Sequence, residues 1–237
     1  MNDDLLVGGH ISRQFDQELD EIRSRVLKMG GLVETQLEKT LTAIEDDNSE
    51  SIKDVAMIDE KVNQLEVEID EECTQILAKR QPTAGDLRLI IATTKSVRDI
   101  ERIGDEAERV ARMVGHAIEH NMSSVFSKEL LKLGRLVKDL LHSTLNTYAR
   151  METRSAIKNI RKDARVDQGY ADLTVKLVEM MKSDPDCISE ALDIMWAARS
   201  LERIGDHCIN ICENVIYHVE GEDIRHIEFE EVKEQLS

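Results

Sequence analysis

An internal duplication restricts the fold of this chain more than any other feature of its sequence. The pentapeptide Glu-Arg-Ile-Gly-Asp begins at Glu101 and again at Glu202, and Gly-Gly-Leu-Val at 30–33 is matched by Gly-Arg-Leu-Val at 134–137. Each half is roughly 100 residues long, which is enough for a complete packing unit and too long for one short solenoid repeat. The chain is therefore expected to contain the same small domain twice.

Three amphipathic helices are predicted in each half, because apolar residues recur at spacings of three and four. Polar or proline-containing breaks at 46–49, 80–82 and 184–185 separate the apolar stripes. Only two prolines and eleven glycines occur in 237 residues. These are few turn-forming residues for the many turns of a β-sandwich or barrel. The first stripe illustrates the pattern, with Leu19, Ile22, Val26, Met29, Val33 and Leu37.

The predicted fold class is all-α, with two tandem pseudo-symmetric three-helix bundles built from six long helices. The first bundle is assigned to residues 10–120 and the second to residues 127–221, with a polar linker over 121–127. Residues 222–237 form a highly charged C-terminal segment that is expected to be loosely ordered.

Charge and cysteine content limit the partners and the compartment. The chain has 48 acidic and 31 basic residues, a net charge of −17, which argues against direct binding to nucleic acid or to an anionic bilayer. Four cysteines in a chain with a sizeable core fit no disulfide framework, so a reducing, cytoplasmic location is expected. No stretch approaches the roughly 18 apolar residues of a spanning helix, so contact with a membrane would come only through partners.

Candidate metal ligands lie beside the apolar stripes of the predicted second, third, fifth and sixth helices. Acidic residues four positions apart share one helix face, so pairs on neighbouring helices can bring several carboxylate oxygens to one place. Oxygen-rich sites suit Mg²⁺, Mn²⁺ or iron. The alternative is an ordinary solvated acidic edge, although a duplicated motif is unnecessary for that purpose. The candidates are Asp59, Asn63, Glu101, Asp105, Asp163, Asp167, Glu202 and Asp206.

Gly104 and Gly205, inside the repeated pentapeptide, lean toward the core side of their helices and predict a close approach between helices.

Other chemistry-bearing residues are assigned structural roles. Residue types that bind zinc occur together at His207, Cys208 and Cys212. Both cysteines fall on an apolar stripe, however, and are predicted to be buried thiols. His116 and His120 are spaced for a metal but are expected to be surface residues at a helix end. Trp196 and the nine methionines are expected to fill the core.

No catalytic motif accompanies these residues. The sequence has no phosphate-binding Gly-x-x-x-x-Gly-Lys loop, no His-Glu-x-x-His, no Gly-x-Ser-x-Gly and no Glu-x-x-His. No nucleophile with its base can be named, so an enzymatic activity is not expected.

Taken with their flanking segments, these motifs resemble those of a known family. The duplicated Glu-Arg-Ile-Gly-Asp, preceded in the first half by Arg-Gln-Pro-Thr-Ala-Gly-Asp-Leu-Arg at 80–88 and followed in the second by His-Cys-Ile-Asn-Ile-Cys-Glu at 207–213, strongly resembles the PhoU family of bacterial phosphate-signalling regulators. The resemblance extends from about His10 to Gly221. It implies two three-helix bundles related by a pseudo-twofold axis.

The same resemblance implies a function. Members of this family repress the phosphate-starvation (Pho) regulon when phosphate is plentiful and modulate phosphate uptake. They act between the ATPase of the phosphate ABC transporter and the sensor histidine kinase. They are cytoplasmic, peripheral at the inner membrane only through these partners, commonly homodimeric, and have no accepted enzymatic activity.

Some members of the family carry metal clusters on paired Glu/Asp-x-x-x-Asp motifs. By resemblance these correspond to the pairs Glu101 with Asp105, Glu202 with Asp206, and Asp163 with Asp167, with Mg, Mn, Fe or Zn as the possible metals. The second helix departs from the pattern, because the partner of Asp59 is Asn63, which offers a carbonyl oxygen but no charge. The first site is therefore expected to be weaker or empty.

Two alternatives from other classes remain open at this point. One is a carboxylate-bridged metalloenzyme built on the same acidic pairs. The other is a histidine phosphotransfer bundle that uses His142, although the neighbouring residues form no convincing phosphotransfer motif.

Overall fold

The computed structural model describes residues 4–119 and 124–225, and within these ranges the regular structure is entirely helical. Two short 3₁₀ turns, Ser49–Ile52 and Pro185–Cys187, precede the second and last helices. The helices are α1 (Asp4–Asp46), α2 (Val55–Arg80), α3 (Ala84–Glu119), α4 (Ser124–Arg150), α5 (Thr153–Ser183) and α6 (Ile188–Glu220). None of these helices is both long enough and apolar enough to cross a bilayer.

Local side-chain and backbone chemistry explains where the helices end. Asn48 accepts a hydrogen bond from the backbone N–H of Glu50 at 2.9 Å, which starts the turn after α1. Gln81 ends α2 in the left-handed conformation, with φ at 47°. Asp184 caps the turn before α6 by accepting a hydrogen bond from the backbone N–H of Asp186, with proline at the first position. The three predicted breaks are thus confirmed.

Each half folds as three mutually packed helices, α1–α3 and α4–α6. The two bundles lie side by side, because α3 packs along α6 more extensively than any other pair and α1 also contacts α4. Their buried apolar residues form one continuous core that draws on all six helices. The predicted all-α architecture of duplicated helical bundles is confirmed.

Reciprocal glycine contacts join α1 to α4. A Cβ added at Gly30 would lie 2.7 Å from a terminal methyl of Leu145, and one added at Gly134 would collide with a methyl of Leu41. Both pairs are related by the same offset of 104 residues that links the two halves of the sequence. The duplicated Gly-x-Leu-Val motif therefore lets the two bundles approach each other closely.

We expect Gly30→Val to lower the free energy of unfolding by about 1 kcal/mol, because Leu145 must leave its packed position. Gly31 is the matched control, since nothing lies within 4 Å of a Cβ added there. Gly31→Ala should be neutral or stabilising by up to about 1 kcal/mol, because alanine is the better helix former. Urea unfolding followed by circular dichroism measures both, and equal destabilisation by the two changes would contradict the close approach.

The ends of the predicted second bundle differ in part from expectation. Ser124 already begins α4, so the linker predicted over 121–127 is shorter than expected, and residues 120–123 lie outside the described residues. Just after Gly221, Ile224 is buried and belongs to the core, so the start of the predicted loose segment packs against the bundle. The remainder of that segment, 226–237, lies outside the described residues.

The expectation that Trp196 fills the core is wrong, since 62% of this residue is exposed. The core face of α6 is built from small residues at this level, including Ala197 and Ala198, which bring the helix close to its neighbours. A side chain at position 196 then projects from the opposite face of the helix. Met57 is likewise exposed, whereas Met29 is fully buried as expected.

Candidate metal centres

The glycine of each Glu-Arg-Ile-Gly-Asp repeat makes room for an aspartate on the adjacent helix. A Cβ added at Gly104 of α3 would lie 3.3 Å from Oδ1 of Asp59 on α2. In the second half, a Cβ added at Gly205 of α6 would lie only 2.6 Å from Oδ1 of Asp163 on α5. The predicted role of these glycines in close helix approach is confirmed, and the approach places one aspartate against each repeat.

In the first half this aspartate is satisfied by neutral donors. Asp59 is buried, and its Oδ1 accepts a hydrogen bond of 3.0 Å from Nε2 of Gln36, which α1 contributes. Its Oδ2 accepts a second hydrogen bond, of 3.1 Å, from Nδ2 of Asn63. The two amide donors compensate part of the cost of burying this carboxyl group.

Further carboxylates extend from this position along α2 and α3. Burial is the main cause of the raised pKa of Glu101, followed by repulsion from Asp105 and Glu66. The pKa of Asp105 is raised in the same way, with Asp59 as its strongest acidic neighbour. Arg102 offsets part of this repulsion, lying 3.4 Å from Glu101 and 3.7 Å from Asp105.

Glu66 and Asp70 extend the first cluster beyond the candidate ligands that the sequence singled out. The pKa of Glu66 is raised by burial and then by Asp70, and the pKa of Asp70 is also raised by burial. Their spacing of four residues repeats the spacing of the other pairs, and this was the signal available in the sequence.

The second cluster brings together the four predicted carboxylates of α5 and α6. Burial raises the pKa of Asp163 to about 7, with Asp167, Asp206 and Glu202 as additional causes in that order. Burial likewise raises the pKa of Glu202 and of Asp206. Each of these pKa shifts has another carboxylate of the cluster as a lesser cause, which indicates that the four groups lie near one another.

Two carboxylate oxygens of the second cluster are buried without a hydrogen-bond partner, namely Oδ1 of Asp163 and Oε2 of Glu202, whereas the first cluster has one, Oδ1 of Asp70. The other oxygen of Glu202 accepts a hydrogen bond of 2.6 Å from Arg199. Unsatisfied buried carboxylate oxygens are costly, and a cation is the group that would compensate them.

Two substitutions between the halves change the immediate surroundings of Asp59 and Asp163. At the offset of 104 residues, Asn63 corresponds to Asp167 and Gln36 corresponds to Leu140. Next to the aspartate that faces the glycine, the second cluster therefore has a carboxylate in place of an amide and lacks the amide donor that α1 supplies in the first. Farther along the helix the difference is reversed, because Glu66 and Asp70 correspond to Tyr170 and Thr174. The sequence pointed to Asn63, but it gave no signal for Gln36, which only the packing of α1 brings to the cluster.

The donor chemistry of the second cluster fits a hard cation such as Mg²⁺ or Mn²⁺, since all four side chains offer oxygen. As the side chains stand, no three His, Cys, Asp or Glu residues among those described are arranged to hold a metal ion. Binding would thus require these carboxylates to rotate toward a common point. The first cluster fits less well, because Asp59 already has two amide partners.

The remaining candidates have structural surroundings. Cys208 and Cys212 are fully buried, and burial raises the pKa of Cys212 to about 12, which confirms them as core thiols. His116 is exposed and lies 2.7 Å from Asp193, while the side chain of His120 falls outside the described residues.

His142 is exposed on α4, where its Nδ1 lies 2.8 Å from an oxygen of Glu34. Its Nε2 lies 3.0 Å from the side-chain amide of Asn146.

The fold and the site together define a class of all-α proteins with two pseudo-symmetric bundles. In each bundle, acidic residues four positions apart lie where two helices approach each other closely. The PhoU domain model matches two segments of this chain, residues 26–114 and 130–215, which together cover most of it. The chain belongs to the PhoU family.

Relatives match nearly the whole chain. A protein of Pseudomonas aeruginosa named phosphate-specific transport system accessory protein PhoU homolog is 46% identical, over 96% of this chain and 94% of its own. The phosphate-specific transport system accessory protein PhoU of Escherichia coli strain K12 is 41% identical, over 99% of this chain and 97% of its own.

Solved structures agree with the described fold. The crystal structure of PhoU from Pseudomonas aeruginosa matches with a TM-score of 0.85 at 46% identity, covering 88% of this chain and all of the other. The phosphate transport system regulatory protein PhoU from Streptococcus pneumoniae matches with a TM-score of 0.81 at 29% identity, over 88% of this chain and 98% of the other.

Proposed function

We propose that this protein represses phosphate-starvation genes when phosphate is plentiful and modulates phosphate uptake, as a non-enzymatic adaptor. Its partners would be the ATPase of the phosphate ABC transporter and the sensor histidine kinase of the phosphate two-component system. It would act in the cytoplasm as a homodimer and reach the inner membrane only through these partners.

Whole-length similarity to accessory proteins of the phosphate transport system is the observation that supports this proposal most directly. A net charge of −17 and long rigid helical faces also favour binding to other proteins over binding to nucleic acid. The relatives are named accessory or regulatory proteins, and the described site offers no nucleophile paired with a base.

Deletion of the gene is expected to leave phosphate-responsive genes switched on in high phosphate. Expression of the intact chain from a plasmid should restore repression, and a reporter fused to a phosphate-regulated promoter measures both. Unchanged repression in the deletion strain would contradict the proposed function.

We propose that a metal ion binds more tightly to the second cluster than to the first. Its ligands would be Asp163, Asp167, Glu202 and Asp206. This cluster has two unpartnered buried carboxylate oxygens, one of them on the aspartate that faces the glycine, whereas in the first cluster only the more distant Asp70 has one. When bound, a divalent or trivalent cation would neutralise the carboxylates and tie α5 to α6. Mg, Mn and Fe suit these oxygen donors better than Zn does.

We expect equilibrium dialysis against Mn²⁺ to reveal one tightly bound ion. Glu202→Gln combined with Asp206→Asn should abolish it, because half of the donors lose their charge. The matched changes in the first cluster, Glu101→Gln with Asp105→Asn, should leave it in place. Loss of Mn²⁺ in both double variants, or in neither, would contradict the assignment to the second cluster.

The metalloenzyme alternative uses the same cluster, and a turnover assay distinguishes it from the non-enzymatic adaptor. Redox and phosphatase activities of the Mn²⁺- and iron-loaded protein should be indistinguishable from those of the Glu202→Gln variant. Activity that is lost in this variant would favour the enzyme.

A further inference from the structure

Each half has two arginines close in sequence to the acidic pair of its repeated pentapeptide. One lies inside the pentapeptide, and the other lies three residues before it. At the offset of 101 residues, Arg102 corresponds to Arg203 and Arg98 corresponds to Arg199. Side chains three positions apart are neighbours on a helix surface, so each arginine is spaced to contact one acid of the pair. The two halves use these arginines differently.

In the first half the arginine inside the pentapeptide contacts the acidic pair. Arg102 lies 3.4 Å from Glu101 and 3.7 Å from Asp105. Arg98 acts farther along the cluster, where burial raises the pKa of Asp70 and Arg98 offsets part of that shift. Two cations are therefore distributed along the first cluster.

In the second half the arginine inside the pentapeptide contacts the other bundle instead. Nη1 of Arg203 lies 3.0 Å from Oε1 of Glu106, a buried residue of α3. Arg199 contacts the acidic pair, with its Nη1 2.6 Å from Oε1 of Glu202. Burial raises the pKa of Asp206, and Arg199 is the strongest of the groups that lower it. Arg199 is thus the main counter-ion of the second acidic pair.

The residues of α5 next to this arginine carry no charge. At the offset of 104 residues, Tyr170 replaces Glu66 and Thr174 replaces Asp70. The guanidinium carbon of Arg199 lies 5.9 Å from the centroid of the Tyr170 ring, within the range of a cation–π contact. The guanidinium therefore has a second favourable position that uses no carboxylate.

A metal ion in the second cluster would compete with this guanidinium for Glu202. The arginine covers Oε1 of Glu202, while Oε2 is buried without a partner. The side chain of Arg199 is 47% exposed and that of Glu202 is 13% exposed. The arginine can therefore turn toward solvent, whereas the carboxylate stays in the cluster. Two cations at one carboxylate oxygen repel each other, so binding of one weakens binding of the other.

We propose that Arg199 is the internal counter-ion of the second cluster and that a metal ion displaces its guanidinium from Glu202. This inference rests on the proposed metal site, to which it adds the residue that limits its affinity. In the metal-free protein the guanidinium contacts Oε1 of Glu202. When a divalent cation binds, the guanidinium turns to the ring of Tyr170 and to solvent. Metal occupancy is thereby linked to the position of an exposed cationic side chain on α6.

Replacement of Arg199 should strengthen the binding of Mn²⁺. We expect equilibrium dialysis to give a Kd about tenfold lower for Arg199→Gln than for the unchanged chain, because the ion no longer displaces a guanidinium. Arg199→Lys keeps the charge and should stay within about threefold of the unchanged chain. The matched control is Arg203→Gln, which removes the same charge one turn away. It should change the Kd by less than about twofold, because Glu106 holds that guanidinium.

The metal-free protein should respond in the opposite way. Without metal, Arg199→Gln leaves the acidic pair of the second cluster without its main counter-ion. We expect the urea midpoint in the presence of a chelator near pH 7 to fall by about 0.3 M, a modest shift because the arginine is half exposed. Addition of Mn²⁺ should then stabilise Arg199→Gln more than it stabilises the unchanged chain.

Displacement of the guanidinium can be observed directly by nuclear magnetic resonance. The side-chain N–H signals of Arg199 are assigned by their loss in Arg199→Gln. We expect Mg²⁺, which is diamagnetic, to shift these signals and to leave those of Arg203 in place. Shifts of the Tyr170 ring protons in the same titration would show that the guanidinium has changed its position over the ring.

Two results would overturn the proposed role of Arg199. One is an equal or higher Kd for Mn²⁺ in Arg199→Gln than in the unchanged chain, and the other is an equal gain of affinity in Arg203→Gln. In either case the metal site stands if Glu202→Gln with Asp206→Asn still abolishes binding. If neither the unchanged chain nor Arg199→Gln binds Mn²⁺, the metal site is wrong and displacement by a metal is wrong with it. A lowered urea midpoint of Arg199→Gln would still assign the counter-ion to Arg199.

Discussion

Asp163→Asn is expected to stabilise the metal-free protein at neutral and mildly alkaline pH. An asparagine removes one of four neighbouring negative charges, and its amide can donate a hydrogen bond to a carboxylate beside it. The free energy of unfolding should rise by about 2 kcal/mol near pH 8, once the solvent screening of a partly exposed group is allowed for. Few substitutions of a candidate functional residue are expected to stabilise a protein this much.

The effect should depend on pH in one direction. The carboxyl of Asp163 titrates at about 7 in the folded chain, against an ordinary value of 3.8. Between these values the native state holds a proton that the unfolded state has released, so stability falls as the pH rises through this window. The advantage of Asp163→Asn should therefore be small near pH 4 and fully developed above about pH 7.

Asp59→Asn is the matched control and should have the opposite sign. The Asp59 carboxylate accepts hydrogen bonds from Gln36 and Asn63, so its replacement loses charge-assisted bonds and should cost about 1 kcal/mol. Urea unfolding in the presence of a chelator, at about pH 4, 6 and 8, compares the two variants. If Asp163→Asn is destabilising above pH 7, the carboxylate has a partner and the account of the second cluster is wrong.

Sequence periodicity was sufficient to predict the helices and the acidic pairs, because both are local properties of a 3.6-residue repeat. The pairs Glu101 with Asp105 and Glu202 with Asp206 follow from spacing on one helix. Their proximity to Asp59 and Asp163 follows from the duplicated glycine, which was correctly assigned to close helix approach.

The properties that depend on a third helix could not be predicted in this way. Gln36 lies far from Asp59 in the sequence, and only the packing of α1 turns it into a hydrogen-bond donor for that carboxylate. Trp196 was assigned to the core together with the methionines, but buried alanines on the opposite face of α6 bring that face against the neighbouring helices and leave the indole exposed. Hydrophobicity alone does not show which face of a nearly buried helix is free.

The difference between the two clusters should be transferable by two substitutions. Gln36→Leu with Asn63→Asp gives the first cluster the residues that the second has at positions 140 and 167. We expect the double variant to lose stability without metal near pH 8, because Asp59 exchanges two amide donors for one more negative charge. We also expect it to bind a second Mn²⁺ ion.

Mn²⁺ should then recover the lost stability. An ion that binds only the folded state adds about 2.7 kcal/mol to the free energy of unfolding at a free concentration 100 times its Kd. Dialysis and urea unfolding with and without Mn²⁺ measure the two effects on the same samples. The reverse pair, Leu140→Gln with Asp167→Asn, should remove the ion from the second cluster and leave its metal-free form more stable.

These reciprocal variants separate charge balance from helix geometry as the cause of the proposed difference in metal binding between the halves. The glycines, the aspartates that face them and both Glu-Arg-Ile-Gly-Asp repeats are unchanged in all four single substitutions. A gain of Mn²⁺ in one pair and a loss in the other can then come only from positions 36, 63, 140 and 167. If the first cluster stays empty although its metal-free form is destabilised, the distance between α2 and α3 excludes the ion, and charge is not the deciding property.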